Sequence, residues 1–356
     1  MEKVSSVIIG AGVLGCAIAQ KLAEVGDPPI ILEAGPRIAE GVTSRNSGVI
    51  HAALYYPPNS MKANSCLRGK QLLKEWCRKY EVPWKETGKW IVAQKGEAES
   101  LSDLMQNAIA SGATGLTWKT GKQLESALPL VQGESAIFSE ETGIVDPYAL
   151  TRSFLFAAEE KGAILMTSAP VTSIEKCQEG FIIHTPRDSI ACERVFNAAG
   201  LFADEVARMA GVDKYRIYPW RGDYFRLKRD FGIKTLIYPS RRKGAPGLGI
   251  HLTVELDGRC KFGPDVEYEE SKVSFEPRPE KAGIFLSAIQ SYLPSITLAD
   301  LQYDTCGLRP KLRAVNDKAE HDFILSEDLP GFTNCIGIES PGLTAAMALA
   351  EMIVRP

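Results

Sequence analysis

The sequence predicts an α/β protein in which a Rossmann-like dinucleotide-binding domain is joined to a second domain built on an antiparallel sheet. Three observations carry this. The opening VSSVIIGAGVLGCAIAQKLAEVG is a β-branched run, a Gly-rich turn and then apolar residues at helical spacing. From YPWRGDYFRL through LIYPS, GLGIHLTVE and GRCKFG, strand follows strand with no helix between. The chain then closes on DFILSED, FTNCIGI and SPGLTAAMALAEMIV, returning to strand, turn and helix.

Between these landmarks the elements follow from local pattern. PPIILEAGP reads as the second strand. Residues 61 to 80 place Leu73, Trp76, Cys77 and Tyr80 on one helical face, and KWIVAQ at 89 to 94 reads as a strand. Helices are expected at 97 to 110 and 121 to 127. Asp146 is an N-cap with Pro147 in the first helical position, so 147 to 161 should be helical, ending at Gly162. AILMTS, APVTSIEK, GFIIHT and SIACERVFNAAG are four short strands, followed by a helix near 201 to 210 and another near 279 to 292. The resulting partition assigns 1–85, 147–215 and 305–356 to the dinucleotide domain and 86–146 and 216–304 to the other.

Composition narrows the function. The chain has 356 residues, 45% hydrophobic and 24% charged, with a net charge of −3 and no dense basic run, which argues against nucleic acid and for a small-molecule partner. The eight cysteines form no C-x-x-C pair and no metal-ligand spacing with histidine, so reduced thiols and no metal site are expected. A first strand close to Met1 and the lack of an eighteen-residue apolar run lead to the expectation of a cytoplasmic protein with no leader and no integral membrane segment.

Gly10, Gly12 and Gly15 form G-x-G-x-x-G between strand and helix, the arrangement that brings backbone to a pyrophosphate at a helix N-terminus. Glu33 ends the second strand 21 residues after Gly12, where a carboxylate accepts ribose hydroxyls. This motif does not separate NAD from FAD. CIGIESPGLTAAMALAE tips the balance toward FAD: Gly337 and Gly342 precede a helix starting at Gly342 or Leu343, whose N-terminus suits the anionic edge of a reduced flavin. VFNAAG adds a strand ending in Ala198, Ala199 and Gly200, small enough for close backbone approach to a ligand.

These motifs, with TSRNSGVIHAALYYPP, YPWRGDYF, GIHLTVELDGRCKFGPDVE and GLRPKL, resemble the L-2-hydroxyglutarate dehydrogenase/oxidase family of D-amino-acid-oxidase-like FAD oxidoreductases, from the first strand to the last helix. The resemblance implies an FAD-binding Rossmann-like domain, an antiparallel substrate domain, and an isoalloxazine ring between them. It further implies that Ser44, Arg45, Asn46 and Ser47 bond the pyrophosphate and ring edge, that His51 and Tyr55 face the substrate, that Val171 pairs with adenine, and that Pro341, Gly342, Leu343 and Thr344 sit by the pyrimidine ring.

Oxidation of a 2-hydroxy acid moves a hydride to flavin N5 while a base takes the hydroxyl proton, a role suited to histidine. His184, in FIIHTP, and His321, in AEHDF, lie on strand and turn segments and read as structural or exposed. His251 is the favoured base and His51 its rival. Arg309 and Lys311 flank Pro310, and side chains at i and i+2 of a strand share a face, giving a bidentate clamp and a point charge for carboxylates. Arg221, Tyr218 and Tyr238 are weaker pocket candidates. The expected reaction is L-2-hydroxyglutarate to 2-oxoglutarate, with oxygen or a quinone as acceptor left open. The alternatives are an amine or amino-acid oxidase on the same fold, an NAD(P)-dependent dehydrogenase and a non-catalytic flavin module.

Overall fold

The computed structural model describes residues 3–240, 247–317 and 319–354. The chain begins with β1 (Lys3–Ile9), α1 (Val13–Glu24), β2 (Ile30–Leu32), β3 (Val49–Ile50) and α2 (Met61–Lys79). It continues through β4 (Trp84–Glu86), β5 (Lys89–Ala93), α3 (Ala98–Ala110), β6 (Leu116–Thr120), α4 (Gly121–Ala127), β7 (Ser135–Ser139), β8 (Gly143–Val145) and α5 (Pro147–Glu159). Then come β9 (Ile164–Met166), β10 (Ser173–Cys177), β11 (Gly180–His184), β12 (Ser189–Asn197), α6 (Ala203–Met209), β13 (Tyr218–Leu227) and β14 (Leu236–Pro239). The last elements are β15 (Leu252–Val254), β16 (Cys260–Phe262), β17 (Glu267–Tyr268), α7 (Ala282–Gln290), β18 (Leu301–Lys311), β19 (Ile324–Leu329), β20 (Phe332–Ile336) and α8 (Gly342–Ile353).

Among the described residues these strands form three sheets. In the eight-stranded sheet, β20, β12, β1, β2 and β9 run parallel, with β10–β11 and β19 antiparallel at its margins. Both faces of such a core must be covered. Residues of α1, α5 and α8 pack into one cluster with Ile8 and Ile31, and the other face holds Val7, Ile9, Phe181 and Phe332. The nine-stranded sheet runs β17-β13-β16-β15-β14-β5-β7-β6 with β18 beside β13, and its core contains Phe225, Phe262, Phe285 and Tyr292. The small sheet β3-β8-β4 completes the set.

Local chemistry sets the element ends. The Asp146 carboxylate accepts from the N–H groups of Tyr148 and Ala149, Pro147 opens α5, and Gly162 lies beyond its end at φ +98°. Thr120 and Gln123 form the reciprocal capping box of α4. Three expectations are corrected. The strand expected over APVTSIEK pairs only from Ser173, because Pro170 has no N–H and the Ala169 N–H is spent on the Glu33 carbonyl. The strand expected over GLGIHLTVE pairs only at Leu252–Val254, since Gly247 (φ +71°) and Gly249 (φ +76°) leave the extended region. The boundary expected at residue 305 falls inside β18, which pairs with β13 from Leu301 to Lys311 and so belongs to the nine-stranded sheet.

Candidate functional site

A cavity of about 730 Å³ opens at the carboxyl ends of the parallel strands and extends to the nine-stranded sheet. This is the position where open α/β sheets bind ligands, and the volume lies within the range of small-molecule and cofactor pockets. Gly10 and Gly12 line it at one end. Gly10 has φ +104°, and a Cβ there would stand 2.6 Å from the Ala198 carbonyl oxygen, so the turn admits only glycine. Gly15 differs from expectation. It is buried behind the turn, where a Cβ would meet the Gly10 oxygen at 1.9 Å, so it seats α1 on β1 and does not line the cavity.

Glu33 lines the cavity with its carboxylate already oriented. One oxygen accepts from the Ala11 N–H and the other from the Gly35 N–H, both at 2.8 Å, leaving further lone pairs free for a ligand. Val171, Ala198 and Gly200 lie along the same wall. Two helices start on the cavity without a side-chain cap from their N-cap residue: α1 after Gly12 and α8 after Pro341. By contrast, α2 and α5 are capped by Ser60 and Asp146. Uncapped helix starts are suited to anionic groups.

The loop from 43 to 56 is divided by function. Arg45, Asn46 and Ser47 line the cavity, but Ser44 is exposed and its hydroxyl donates to the carbonyls of Glu40 and Gly41, pointing away. Thr43 takes the place expected of Ser44: it is buried, lines the cavity, and its Oγ1 accepts from the Val13 N–H at 3.0 Å. Asn46 serves its own loop, donating to the Thr43 carbonyl and accepting from the Gly48 N–H. Arg45 stacks on Phe275 at 4.1 Å, and Ser47 shares a 3.0 Å hydrogen bond with the Tyr224 hydroxyl. At the other end Pro341, Gly342 and Leu343 line the cavity. Gly337 and Thr344 do not: Gly337 packs against Leu312, and the buried Thr344 hydroxyl accepts from the His51 N–H and donates to the Val49 carbonyl, pinning the loop to α8.

His51, His251, Tyr55 and Tyr238 gather under the nine-stranded sheet. The Nδ1 of His251 stands 2.9 Å from the Gly249 carbonyl, which only accepts, so Nδ1 carries the proton and Nε2 of the neutral ring keeps its lone pair. Tyr238 stacks on this imidazole at 3.7 Å. Burial pushes the His251 pKa down to about 3, and burial with the Lys89 charge does the same to His51, so both rings are neutral at physiological pH. The Nε2 of His51 lies 3.2 Å from the Ser340 hydroxyl. The two remaining histidines have polar partners the sequence did not suggest: His184 meets Ser189 and Glu175, and His321 meets Asp317.

Arg309 and Lys311 both line the cavity from β18. The Arg309 guanidinium lies across Gly222, where a Cβ would stand 2.5 Å from its Nη2, and donates to the Arg221 and Asp265 carbonyls at 3.3 Å. Lys311 is less free. Its ammonium pairs with Glu339 at 3.0 Å, and the other Glu339 oxygen holds Lys62 at 3.0 Å. Burial lowers the Lys311 pKa while Glu339 raises it. Arg221 is fully buried on Asp223, away from the cavity. Lys62, Glu339 and Tyr224 line the cavity and were not singled out from sequence; Lys62 and Glu339 come together only in the fold.

Comparison with known proteins now identifies the group to which this site belongs. The family model described as FAD dependent oxidoreductase matches residues 6–355. The chain belongs to this family. It is 34% identical to the mitochondrial L-2-hydroxyglutarate dehydrogenase of Arabidopsis thaliana, over 99% of this chain and 83% of that protein. It is 29% identical to glycerol 3-phosphate dehydrogenase of Caloramator mitchellensis, over 98% of this chain and 72% of that one. The fold superposes with a TM-score of 0.90 on dithionite-reduced L-alpha-glycerophosphate oxidase from Mycoplasma pneumoniae with FAD bound, at 25% identity, covering 100% of this chain and 94% of that one.

The protein is an oxidoreductase and FAD is its cofactor. The cavity fits the group: glycine-only backbone at Gly10, a pre-oriented carboxylate at Glu33 and the starts of α1 and α8, neither capped by its own N-cap side chain, all line it. No helix among the described residues is long and apolar enough to cross a membrane. The eight cysteines are unpaired, and only Cys177 is exposed.

Proposed function

We propose that this FAD-dependent oxidoreductase oxidises L-2-hydroxyglutarate to 2-oxoglutarate. The observation that carries the reading is the presence, in the cavity that Gly10, Glu33 and Gly342 also line, of a proton-accepting imidazole nitrogen on His251 and the Arg309 guanidinium. The 34% identity to a protein named for this activity supports the choice of substrate.

In this reading Gly10, Gly12, Glu33, Val171, Ala198 and Gly200 hold the adenosine and pyrophosphate half of FAD. Thr43, Arg45, Asn46 and Ser47, with Pro341, Gly342 and Leu343, hold the flavin half. Gly15, Gly337 and Thr344 support these residues from behind. FAD, when bound, supplies the hydride acceptor. Arg309 clamps a substrate carboxylate through paired N–H donors, and Lys311 adds positive charge beside it, tempered by Glu339. His251 accepts the hydroxyl proton at Nε2, and its neutral resting state leaves that lone pair available. His51, tied to Ser340 and to Thr344, orders the loop beneath, and Tyr55 and Tyr238 keep water from the base. The eight-stranded sheet then carries the cofactor and the nine-stranded sheet covers the substrate.

The test is the visible spectrum of the purified protein before and after anaerobic L-2-hydroxyglutarate. Bleaching of the flavin bands is the expected result. Bands that persist with this acid but bleach with glycerol 3-phosphate would transfer the reading to that substrate, and bleaching only with an amino acid would restore the amine-oxidase alternative.

A further inference from the structure

Lys89 opens β5 in the middle of the nine-stranded sheet and is fully buried. Its Nζ has no hydrogen-bond partner among the described residues. It lies 5.0 Å from the ring centroid of Tyr55 and 4.8 Å from that of Tyr238, two of the tyrosines that line the cavity. The amine therefore does not line the proposed substrate pocket itself but touches the faces of two rings that do. Its ladder neighbours, Leu236 on β14 and Ser139 on β7, are uncharged.

The titratable groups facing it are Cys66 from α2, the two tyrosines, and the imidazoles of His51 and His251. None is an anion near neutral pH: burial holds the Cys66 thiol up at about 12 and both imidazoles down at about 3. A lone ammonium in such surroundings is costly, and ring faces offset only part of the cost. A buried lysine answers this by shedding its proton, and here burial brings the pKa down to about 7. What would reverse this is an anion placed just across the tyrosine rings.

We propose that Lys89 is a positioning residue that reads the charge of the bound acid: it is an amine in the empty pocket and takes up one proton from solvent when a carboxylate substrate enters. The carboxylate chemistry rests on the function proposed above. Lys89 does not touch the substrate. It acts across Tyr55 and Tyr238, adding positive charge to the pocket when an anion is present and withholding it from the neighbourhood of the histidine base when the pocket is empty.

The sign follows from linkage. Below about pH 7 Lys89 is charged in both states, and binding moves no proton. Above pH 7 the free pocket holds the amine and the complex the ammonium, so binding takes up a proton and affinity falls by up to about tenfold per pH unit. Both imidazoles stay neutral at this pH and contribute nothing.

The experiment is calorimetric titration of the FAD-loaded enzyme with 2-oxoglutarate, and separately with pyruvate, at pH 8 in buffers of different ionisation heat. Proton uptake approaching one per site is expected for the wild type and close to zero for Lys89→Met. Lys89→Arg, permanently charged, should also take up none while binding as tightly at pH 8 as at pH 6. Should Lys89→Met not fold, the wild type and Lys89→Arg decide the matter alone. Binding of either acid to wild type without proton uptake, or equal uptake in wild type and a variant, overturns the role of Lys89 and leaves the substrate reading standing. Uptake with pyruvate and no binding of 2-oxoglutarate keeps Lys89 and removes L-2-hydroxyglutarate. No binding of either acid removes both.

Discussion

Two buried cationic centres of the nine-stranded sheet are built in opposite ways. On β13, the Asp223 carboxylate accepts from Arg221 at 2.7 Å, from Lys281 at 2.7 Å and from the Tyr303 hydroxyl at 2.9 Å. Lys281 also reaches Asp265 and Glu267. Carboxylates surround it and hold its pKa well above the ordinary lysine value, while Asp223 is held below the ordinary carboxylate value once its bonds to Arg221 and Lys281 outweigh burial. On β5, Lys89 has tyrosine faces and neutral imidazoles and drops to about 7. A complete network is a structural device, whereas groups left open beside a cavity are available for a ligand.

The largest effect that would sharpen this contrast lies on the open side. His251→Gln keeps a side chain of similar reach but removes the basic Nε2, and the rate of anaerobic flavin bleaching by substrate should fall by roughly 10²- to 10⁴-fold. If His51→Gln gave the larger fall and His251→Gln a small one, the two histidines would exchange roles. The next effect lies on the complete side. Asp223→Ala leaves Arg221 and Lys281 buried without their shared anion and should cost about 3–5 kcal/mol of stability, read by denaturant unfolding of the FAD-loaded protein. An unchanged midpoint would mean that water replaces the carboxylate and that the network is not structural.

Arg309→Ala comes third. It removes the guanidinium lying over Gly222, and the apparent affinity for L-2-hydroxyglutarate should weaken about 30-fold, on the order of 2 kcal/mol. Flavin content should stay constant, which separates substrate binding from cofactor loss. An unchanged substrate affinity would take the clamp out of the proposed function and shift attention to Lys62 and Lys311.

Where the sequence was legible, the signal was local. Asp146, Pro147 and Gly162 bracket α5 because caps and N1 prolines act within one turn, and Gly10, Gly12 and Glu33 mark the first βαβ unit because its geometry fixes their spacing. The losses came where tertiary contacts decide. Thr43 and Ser44 are adjacent hydroxyls in a 3₁₀ turn, and only the approach of α1 selects Thr43 to face inward. His251 was read as a strand residue because positive φ at Gly247 and Gly249 leaves no trace in hydrophobic alternation. Lys62 and Glu339 are 277 residues apart and meet only when α2 packs on α8. Lys89 opens a strand that the sequence does mark, but its contact with Tyr55 and Tyr238, which arrive from separate segments, does not show in local pattern.

The last effect is on stability at Lys89, and its direction separates the two centres most cleanly. The unfolded chain keeps the Lys89 proton up to the ordinary lysine value of 10.5, whereas the folded chain releases it near 7. Between these values the unfolded state binds more protons, so wild-type stability should rise with pH across that window through this group and lose the gain as pH falls back toward 7. Lys89→Met removes the titration and the cost of the buried charge together. The variant should therefore be more stable than wild type near pH 7, and the advantage should shrink as pH rises toward 10. Unfolding midpoints at several pH values check this. A lysine whose loss stabilises the fold is kept for something other than stability, while a variant less stable at every pH would place Lys89 with Lys281 as part of the frame.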